Sequence, residues 1–403
     1  MTGVVVIGAG QAGASLVAKL RDEGYQGAIT LVGDEPVPPY QRPPLSKKYL
    51  LGEMSAERLY LRPERYYSDA RIDLRLGTPV TGVDRAARAV MLGDNRLPYE
   101  DLVLATGSVP RRLPAAIGGD LDGVHVVRTL ADVDWMSPGF RPGARLLIVG
   151  GGYIGLEAAA VAATRGMSVT LVEMAERILG RVAAPETADY FRALHRRHGV
   201  DLREGVGLER LIGDGQGRVC GAHLGDGTEI EVDMVIVGVG IEPDTRLAGA
   251  AGLAIDNGVA VDAQGRTSDP AIWAVGDCAS FPHAGARLRL ESVPNAIDMA
   301  ECVARNIMGA ETPYVPRPWF WSDQYDVKLQ IAGLNTGYDR IVTRDASTAM
   351  SVWYYKGDRL LAVDAMNDPR AYMVGKRLIE AGKTADPDVV ADTRTDLKQL
   401  LKA

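Results

Sequence analysis

Short apolar runs, each closed by a glycine or an acidic residue, mark the strands of this chain before anything else is read. VVVI precedes Gly8 and ITLV precedes Gly33; LLIV precedes Gly150 and VTLV precedes Glu173. Within each pair the runs are separated by a turn and a stretch rich in alanine and leucine, which predicts a helix. Each helix is predicted to stop at a glycine, Gly24 or Gly166, sixteen residues after Gly8 or Gly150. That is the position where a helix ends on a left-handed residue and glycine carries no steric penalty. The chain is therefore read as an internal repeat: two strand–turn–helix–strand units about 140 residues apart.

The pattern changes after the second unit. RVCGAHLGDGTEIEV reads as short strands with turn signals, and MVIVGVG and IWAVGD read as buried strands. ESVPNAIDMAECVARNI predicts a helix entered through Pro294. A proline-rich joint, TPYVPRP, then leads into a region richer in aromatics. There SVWYYKGDRLLAVDAM predicts strands of alternating burial, followed by a helical, polar tail.

Composition narrows the function classes. With 403 residues, 46% of them apolar and 24% charged, the chain is long enough for two to four domains with buried cores. Lys and Arg number 45 against 52 Asp and Glu, a net charge of -7, which argues against nucleic acid as the main partner. No apolar run reaches the roughly 18–20 residues of a membrane span. The opening MTGVVVIGAG lacks the basic and apolar regions of a secretory signal. Three scattered cysteines, Cys220, Cys278 and Cys302, form neither a disulfide framework nor a CxxC site, which fits a reducing cytoplasm. His195 and His198 share LHRRHG without a further ligand nearby, so no metal site is expected.

The two turns carry the chemistry. In Gly8-Ala9-Gly10-Gln11-Ala12-Gly13, Gly8 permits the tight turn, Gly10 lets backbone approach a pyrophosphate, and Gly13 allows close helix–strand packing. Gly150-Gly151-Gly152-Tyr153-Ile154-Gly155 repeats the pattern. With 46 glycines a bare GxGxxG arises by chance roughly half a time per chain. The strand before and helix after each turn make both specific, so two bound dinucleotides are predicted. Glu173 ends the second unit, 18 residues after Gly155, where a carboxylate bonds the adenosine ribose hydroxyls and repels a 2′-phosphate. NADH is thus expected over NADPH, with Arg177 one turn further on able to soften the preference. In the first unit Gly33 takes the equivalent place and the acid is displaced to Asp34, read as a ribose contact or a solvated loop residue.

Further strings complete a pattern: PPLSK with Lys47, LVLATG with Ala105, Thr106 and Gly107, YIGLE, GDCA with Asp277, ESVPNA and PWFWSDQYD. Together they resemble the two-dinucleotide flavoprotein reductases, and more closely the FAD-dependent ferredoxin reductases of bacterial oxygenase systems. The resemblance runs over nearly the whole chain. It implies an α/β fold of glutathione-reductase-like architecture: two Rossmann-like domains, one for FAD and one for NAD, plus a C-terminal α/β domain. The FAD domain would comprise 1–112 and 240–313, the NAD domain 113–239, and the C-terminal domain 314–403. Gly10, Ala12, Asp34, Lys47, Val80, Arg128, Asp277 and Val293 match positions that contact FAD in such reductases. Gly152, Ile154, Glu173, Arg181 and Gly238 match the NAD side.

The resemblance also implies a mechanism. NADH would pass a hydride to FAD, which would then release electrons one at a time to a 2Fe–2S ferredoxin feeding a haem-thiolate monooxygenase or a Rieske oxygenase. Lys47 would pair with Glu157 near the reactive flavin nitrogen, and Glu291 would line the nicotinamide pocket. The helix from Val293 would favour negative charge at the flavin's carbonyl edge. Trp319 and Trp321 either border the flavin or belong to core. Arg62, Arg65, Lys48 and Arg305 are either ferredoxin-docking cations or solvated surface charge, and Glu301 weakens Arg305. Disulfide reductases of this superfamily carry two cysteines just ahead of a similar Ser-Lys; PYQRPPLSK has none. Two alternatives stand beside the reductase: an NADH oxidase or peroxidase, and a redox-sensing flavoprotein whose reduced form binds a partner. Monomer and homodimer both fit.

Overall fold

The computed structural model describes residues 2–346 and 349–401. Contacts divide the chain into two compact units, one of residues 1–42, 56–109 and 241–318, the other of 43–55, 110–240 and 319–403. This differs from the expected three-way division in two respects: the segment 43–55 groups with the second unit, and the C-terminal region does not separate from it. The physical reasons are specific bonds. Within the second unit the Tyr49 hydroxyl donates to Asp134, the Arg165 guanidinium donates to the Leu51 carbonyl, and Ser322 donates to Glu157. The expected limits at 1 and 403 lie outside the described residues.

The first unit is built on a parallel sheet in the order Ile272–Ala274, Asp101–Leu104, Gly3–Ile7, Ala28–Val32, Ile72–Arg75. Gly3–Ile7 is buried along its length, as a central strand covered on both faces must be. The following helix, Gln11–Asp22, buries Leu16, Val17 and Leu20 in the same core. It ends as expected, with Gly24 at φ +86°. A second helix, Val293–Ile307, packs against the first and has Ser292 as N-cap.

The second unit repeats the arrangement. Its parallel sheet runs Asp201–Glu204, Ser168–Glu173, Arg145–Val149, Met234–Val237, Val124–His125. The helix Tyr153–Thr164 follows its central strand and stops at Gly166, φ +76°. The C-terminal part forms an antiparallel sheet, Trp319–Gln324, Val327–Gly333, Arg359–Met366, Met350–Lys356, Arg340–Asp345. The expected alternating burial of SVWYYKGDRLLAVDAM is corrected here: Ser351–Tyr355 are all buried. The strand is interior to its sheet, and both faces are covered. Gly375 of the helix Pro369–Glu380 packs near Val363 and Trp353 on one side, and Tyr354 reaches Ala184 and Asp364 on the other. The tail is likewise less polar in place than in sequence, with Leu397 and Leu400 in the core.

Two buried titratable groups in this unit oppose each other. Asp364 is 1% exposed, accepting from Tyr354 at 2.5 Å and Thr187 at 2.9 Å through one oxygen, while its other oxygen has no partner. Burial raises its carboxyl from 3.8 to about 6. His195 is fully buried, and burial lowers it from 6.5 to about 4. As pH falls from 6.5 to 4 the unfolded chain gains a proton at His195 that the folded chain refuses, so stability falls. Between 6 and 3.8 the folded chain gains a proton at Asp364 ahead of the unfolded one, so stability rises. Each effect is on the order of 3 kcal/mol, and they nearly cancel. Asp364→Asn should therefore uncover the histidine. Urea unfolding should show the variant losing on the order of 3 kcal/mol more than the parent between pH 6.5 and 4; parallel pH profiles would contradict the assignment.

Candidate functional site

Both glycine turns sit at the carboxyl end of a central parallel strand, where the sheet order departs to either side and open α/β folds take ligands. Gly8 donates its N–H to the Val32 carbonyl at 2.8 Å, and Gly150 donates to Val172 at 2.9 Å. Both have strongly positive φ, +112° and +109°, which only glycine adopts easily. A Cβ on either would collide with the carbonyl of the neighbouring strand's end, Ala105 or Gly238. Gly13 and Gly155 are packing glycines: a Cβ there would strike the carbonyl oxygen of Gly8 or Gly150.

Gly10 and Gly152 differ in kind. Their backbones are extended, with φ -96° and -82°, conformations open to any residue, and a Cβ on either would meet nothing within 4 Å. Packing does not demand glycine there. Each is the N-cap of a helix and makes no side-chain cap bond, and the space around its Cα is open. These two cradles fit a pyrophosphate, which needs close backbone approach and the positive end of a helix. The residues present thus fit both FAD and NAD.

Around the first cradle the structure brings several expected residues together. Gly276 lies between Ala12 and Ala296, at the starts of the two packed helices, so Asp277 stands beside both N-termini. Asp277 accepts from the Ser108 hydroxyl at 3.0 Å. Thr106 donates to the Asp244 carbonyl at 2.6 Å, and Gly107 turns at φ +68°. Gly33 packs on Ala9, leaving no room for an acid at that position, and Asp34 is exposed next to it. Val80 packs at the edge of the same core. Glu291 belongs to this first unit, where it pairs with Arg289. Glu35, which no motif marks, accepts from both Tyr40 and Arg42 at 2.6 Å, and the cation and aromatic in PPYQRPP are its signal in the sequence.

Around the second cradle, Glu173 accepts from Gly151 N–H at 2.7 Å and from Ala175 N–H at 2.8 Å, fixing the carboxylate at the end of its strand. Tyr153 packs on Phe320 at 4.9 Å, and its buried hydroxyl has no partner. Ile154 is exposed, and Arg181 lies near Gly240. Arg177 is turned inward, donating to the Ala183 carbonyl at 2.8 Å. Arg128, expected at the flavin, belongs to this unit. Trp321 stacks on Trp319 at 5.5 Å.

The second unit also holds a buried ion pair. Lys47 Nζ is 2.8 Å from Oε1 of Glu157, which is 2% exposed. The helix Tyr153–Thr164 supplies Glu157, and the short 3-10 turn Pro43–Ser46 delivers the lysine. Ser46 donates to Oε2 at 2.6 Å and Ser322 to Oε1 at 2.7 Å. A carboxylate so surrounded is held as an acceptor. The three cysteines are free: Cys278 is buried and donates to the Leu104 and Val275 carbonyls. Burial raises its thiol. His195 bonds Gln324 and His198 stacks on Tyr325. Of the candidate docking cations, Lys48 and Arg65 are exposed, Arg62 covers the Tyr66 ring, and Arg305 is paired with Glu23 and Glu301.

Comparison with known proteins agrees with this geometry. Residues 2–300 match the family described as Pyridine nucleotide-disulphide oxidoreductase, and 319–401 match Reductase C-terminal. Rhodocoxin reductase of Rhodococcus erythropolis is 43% identical, over 98% of this chain and 93% of the relative. A ferredoxin–NAD(P)(+) reductase of a Sphingomonas species is 44% identical, over 99% and 97%. Among solved structures, the covalent putidaredoxin reductase–putidaredoxin complex contains a chain 42% identical, with a TM-score of 0.96, covering 100% of this chain and 98% of that one. No helix among the described residues is long and apolar enough to cross a membrane.

Proposed function

Because this chain belongs to the pyridine nucleotide-disulphide oxidoreductase family, we propose that it is an NADH-dependent, FAD-carrying reductase that passes electrons singly to a 2Fe–2S ferredoxin serving an oxygenase. The observation that carries this reading is the presence of two open glycine cradles of one design in one chain. Its relatives' names, rhodocoxin reductase and ferredoxin–NAD(P)(+) reductase, supply the acceptor class. Bound FAD supplies the conversion of a two-electron hydride donor into one-electron steps.

The residues divide the work. The Gly10 cradle, Ala12, Asp34, Val80, Asp277 and the helix from Val293 hold the flavin, and the Gly152 cradle, Ile154, Glu173, Arg181 and Gly238 hold NADH. By the resemblance, Lys47, fixed by Glu157, would supply positive charge to the reacting flavin. No paired cysteine stands ahead of Ser46-Lys47 to receive electrons, so they leave for an external acceptor. A peroxidase would need a reactive thiolate, and burial raises the Cys278 thiol instead. Three free cysteines suit a reducing cytoplasm.

Glu173 and the inward Arg177 set the choice of nucleotide. With Arg177 donating to the Ala183 carbonyl and the Glu173 carboxylate fixed at the end of its strand, NADPH should bind about 10- to 100-fold more weakly than NADH. Glu173→Ser should remove most of that gap, and Arg177→Ala should not; steady-state kcat/KM for both nucleotides checks it. The function itself is tested by NADH-driven cytochrome c reduction, with and without an added 2Fe–2S ferredoxin. A rate that depends on the ferredoxin supports the reading. Fast NADH consumption that ignores the ferredoxin and yields peroxide or water would move the protein to the oxidases.

A further inference from the structure

The Glu157 carboxylate ends a chain of hydrogen bonds that continues well past its first contacts. Ser322 Oγ, which donates to Glu157 Oε1, itself accepts from Gln324 Nε2 at 3.2 Å. The other end of that amide, Oε1, is 2.8 Å from His195 Nε2. His195 Nδ1 lies 3.3 Å from the Tyr325 hydroxyl. Ser322, Gln324 and His195 are all fully buried, so water cannot substitute for any link among them.

The direction of every proton follows from this order. Gln324 gives its N–H to Ser322, which leaves the serine hydrogen for Glu157 and the amide oxygen facing His195. An amide oxygen only accepts, so His195 Nε2 carries the hydrogen and Nδ1 is the acceptor for Tyr325. The neutral imidazole this requires agrees with burial lowering His195 to about 4. All donors therefore point one way, toward the carboxylate, and such chains polarise link by link. Proton conduction is a poor use for it, because a proton crossing Gln324 would need the imidic acid form of the amide.

The outer end is held at a local cost. Tyr325 is the first of two residues turning Trp319–Gln324 into Val327–Gly333, and its φ is +54°, a left-handed conformation usually left to glycine or asparagine. Its ring stacks on His198 at 3.7 Å and 7° while its hydroxyl reaches His195. Strain kept in this way is a reason to look for a use.

We infer that Gln324 and His195 are positioning residues for hydride transfer: through Ser322 they fix the Glu157 carboxylate, and so the place where Lys47 holds its charge. The inference rests on the proposed role of the Lys47–Glu157 pair at the flavin. Gln324→Leu breaks the chain two links from the carboxylate and touches neither nucleotide cradle. In anaerobic stopped-flow reduction of the holoenzyme by NADH, it should slow flavin reduction about fivefold with NADH affinity unchanged, the effect of losing one buried hydrogen bond. In a Glu157→Gln background the same change should have no further effect. 15N NMR of the holoenzyme should show His195 as the neutral Nε2–H tautomer in the parent, with that preference lost in Q324L. If Q324L does not accumulate, Ser322→Ala breaks the same chain and is read in the same way. A Q324L defect of equal size in both backgrounds, or an Nδ1–H tautomer in the parent, overturns the inference alone. A Glu157→Gln protein reduced as fast as the parent would overturn the role of the ion pair, and the inference with it.

Discussion

Gly152→Val should give a folded, flavin-loaded protein that NADH no longer reduces at working concentrations, and Gly10→Val a folded protein that no longer retains FAD. Neither glycine is required by its backbone angles, and neither has a neighbour that an added Cβ would strike. The new side chain instead fills the open space before the helix N-terminus that is proposed to take a pyrophosphate. Losing two charge-assisted hydrogen bonds to the phosphates costs about 3–6 kcal/mol, or two to four orders of magnitude in affinity. Thermal melting separates this from misfolding: without ligand the variants should melt with the parent, and only the stabilisation by nucleotide should vanish. Gly13→Val and Gly155→Val are the contrasting pair, since each would drive a side chain into a carbonyl and destabilise the fold itself. A Gly152→Val protein with normal NADH affinity would show that the cradle is not the pyrophosphate site.

Lys47→Met should lower both stability and the rate of flavin reduction, and a second change should separate the two. Removing the lysine leaves the Glu157 carboxylate, 2% exposed, with only serine donors. Breaking a buried pair by deleting one partner costs about 3–5 kcal/mol, and the low end applies because Lys47 is itself 16% exposed. Loss of the positive charge that the proposed function assigns to Lys47 should slow hydride transfer about 100-fold. Adding Glu157→Gln removes the stranded charge, so urea unfolding should recover most of the lost stability. Flavin reduction should stay slow. Recovery of both together would mean that the lysine serves the fold and not the reaction.

These expectations differ in how far they were legible in the sequence. The paired units were readable because each glycine answers a separate backbone demand at a fixed spacing, and the structure gives Gly8 and Gly150 nearly the same φ. The helix stops at Gly24 and Gly166 were readable for the same reason. The strand Met350–Lys356 was harder, because alternation says nothing about a strand covered on both faces. The surroundings of Glu157 were illegible: Ser46 lies 111 positions away, Ser322 165, and the His195–Gln324 bond spans 129. No local pattern encodes contacts at such separations. Grouping of the 43–55 segment with the second unit was hidden likewise, since it depends on where single side chains such as Tyr49 and Lys47 find partners. Arg177 shows the reverse case: its position suggested a role at the ribose, and its bond to Ala183 turns it away.

Electron delivery to ferredoxin can be followed by reducing the holoenzyme with one equivalent of NADH without oxygen, then mixing it with excess oxidised 2Fe–2S ferredoxin. Flavin and iron–sulfur absorbance are followed together. The flavin should reoxidise without oxygen, with two ferredoxins reduced for each NADH consumed. A flavin that stays reduced until oxygen is admitted would contradict the proposed function.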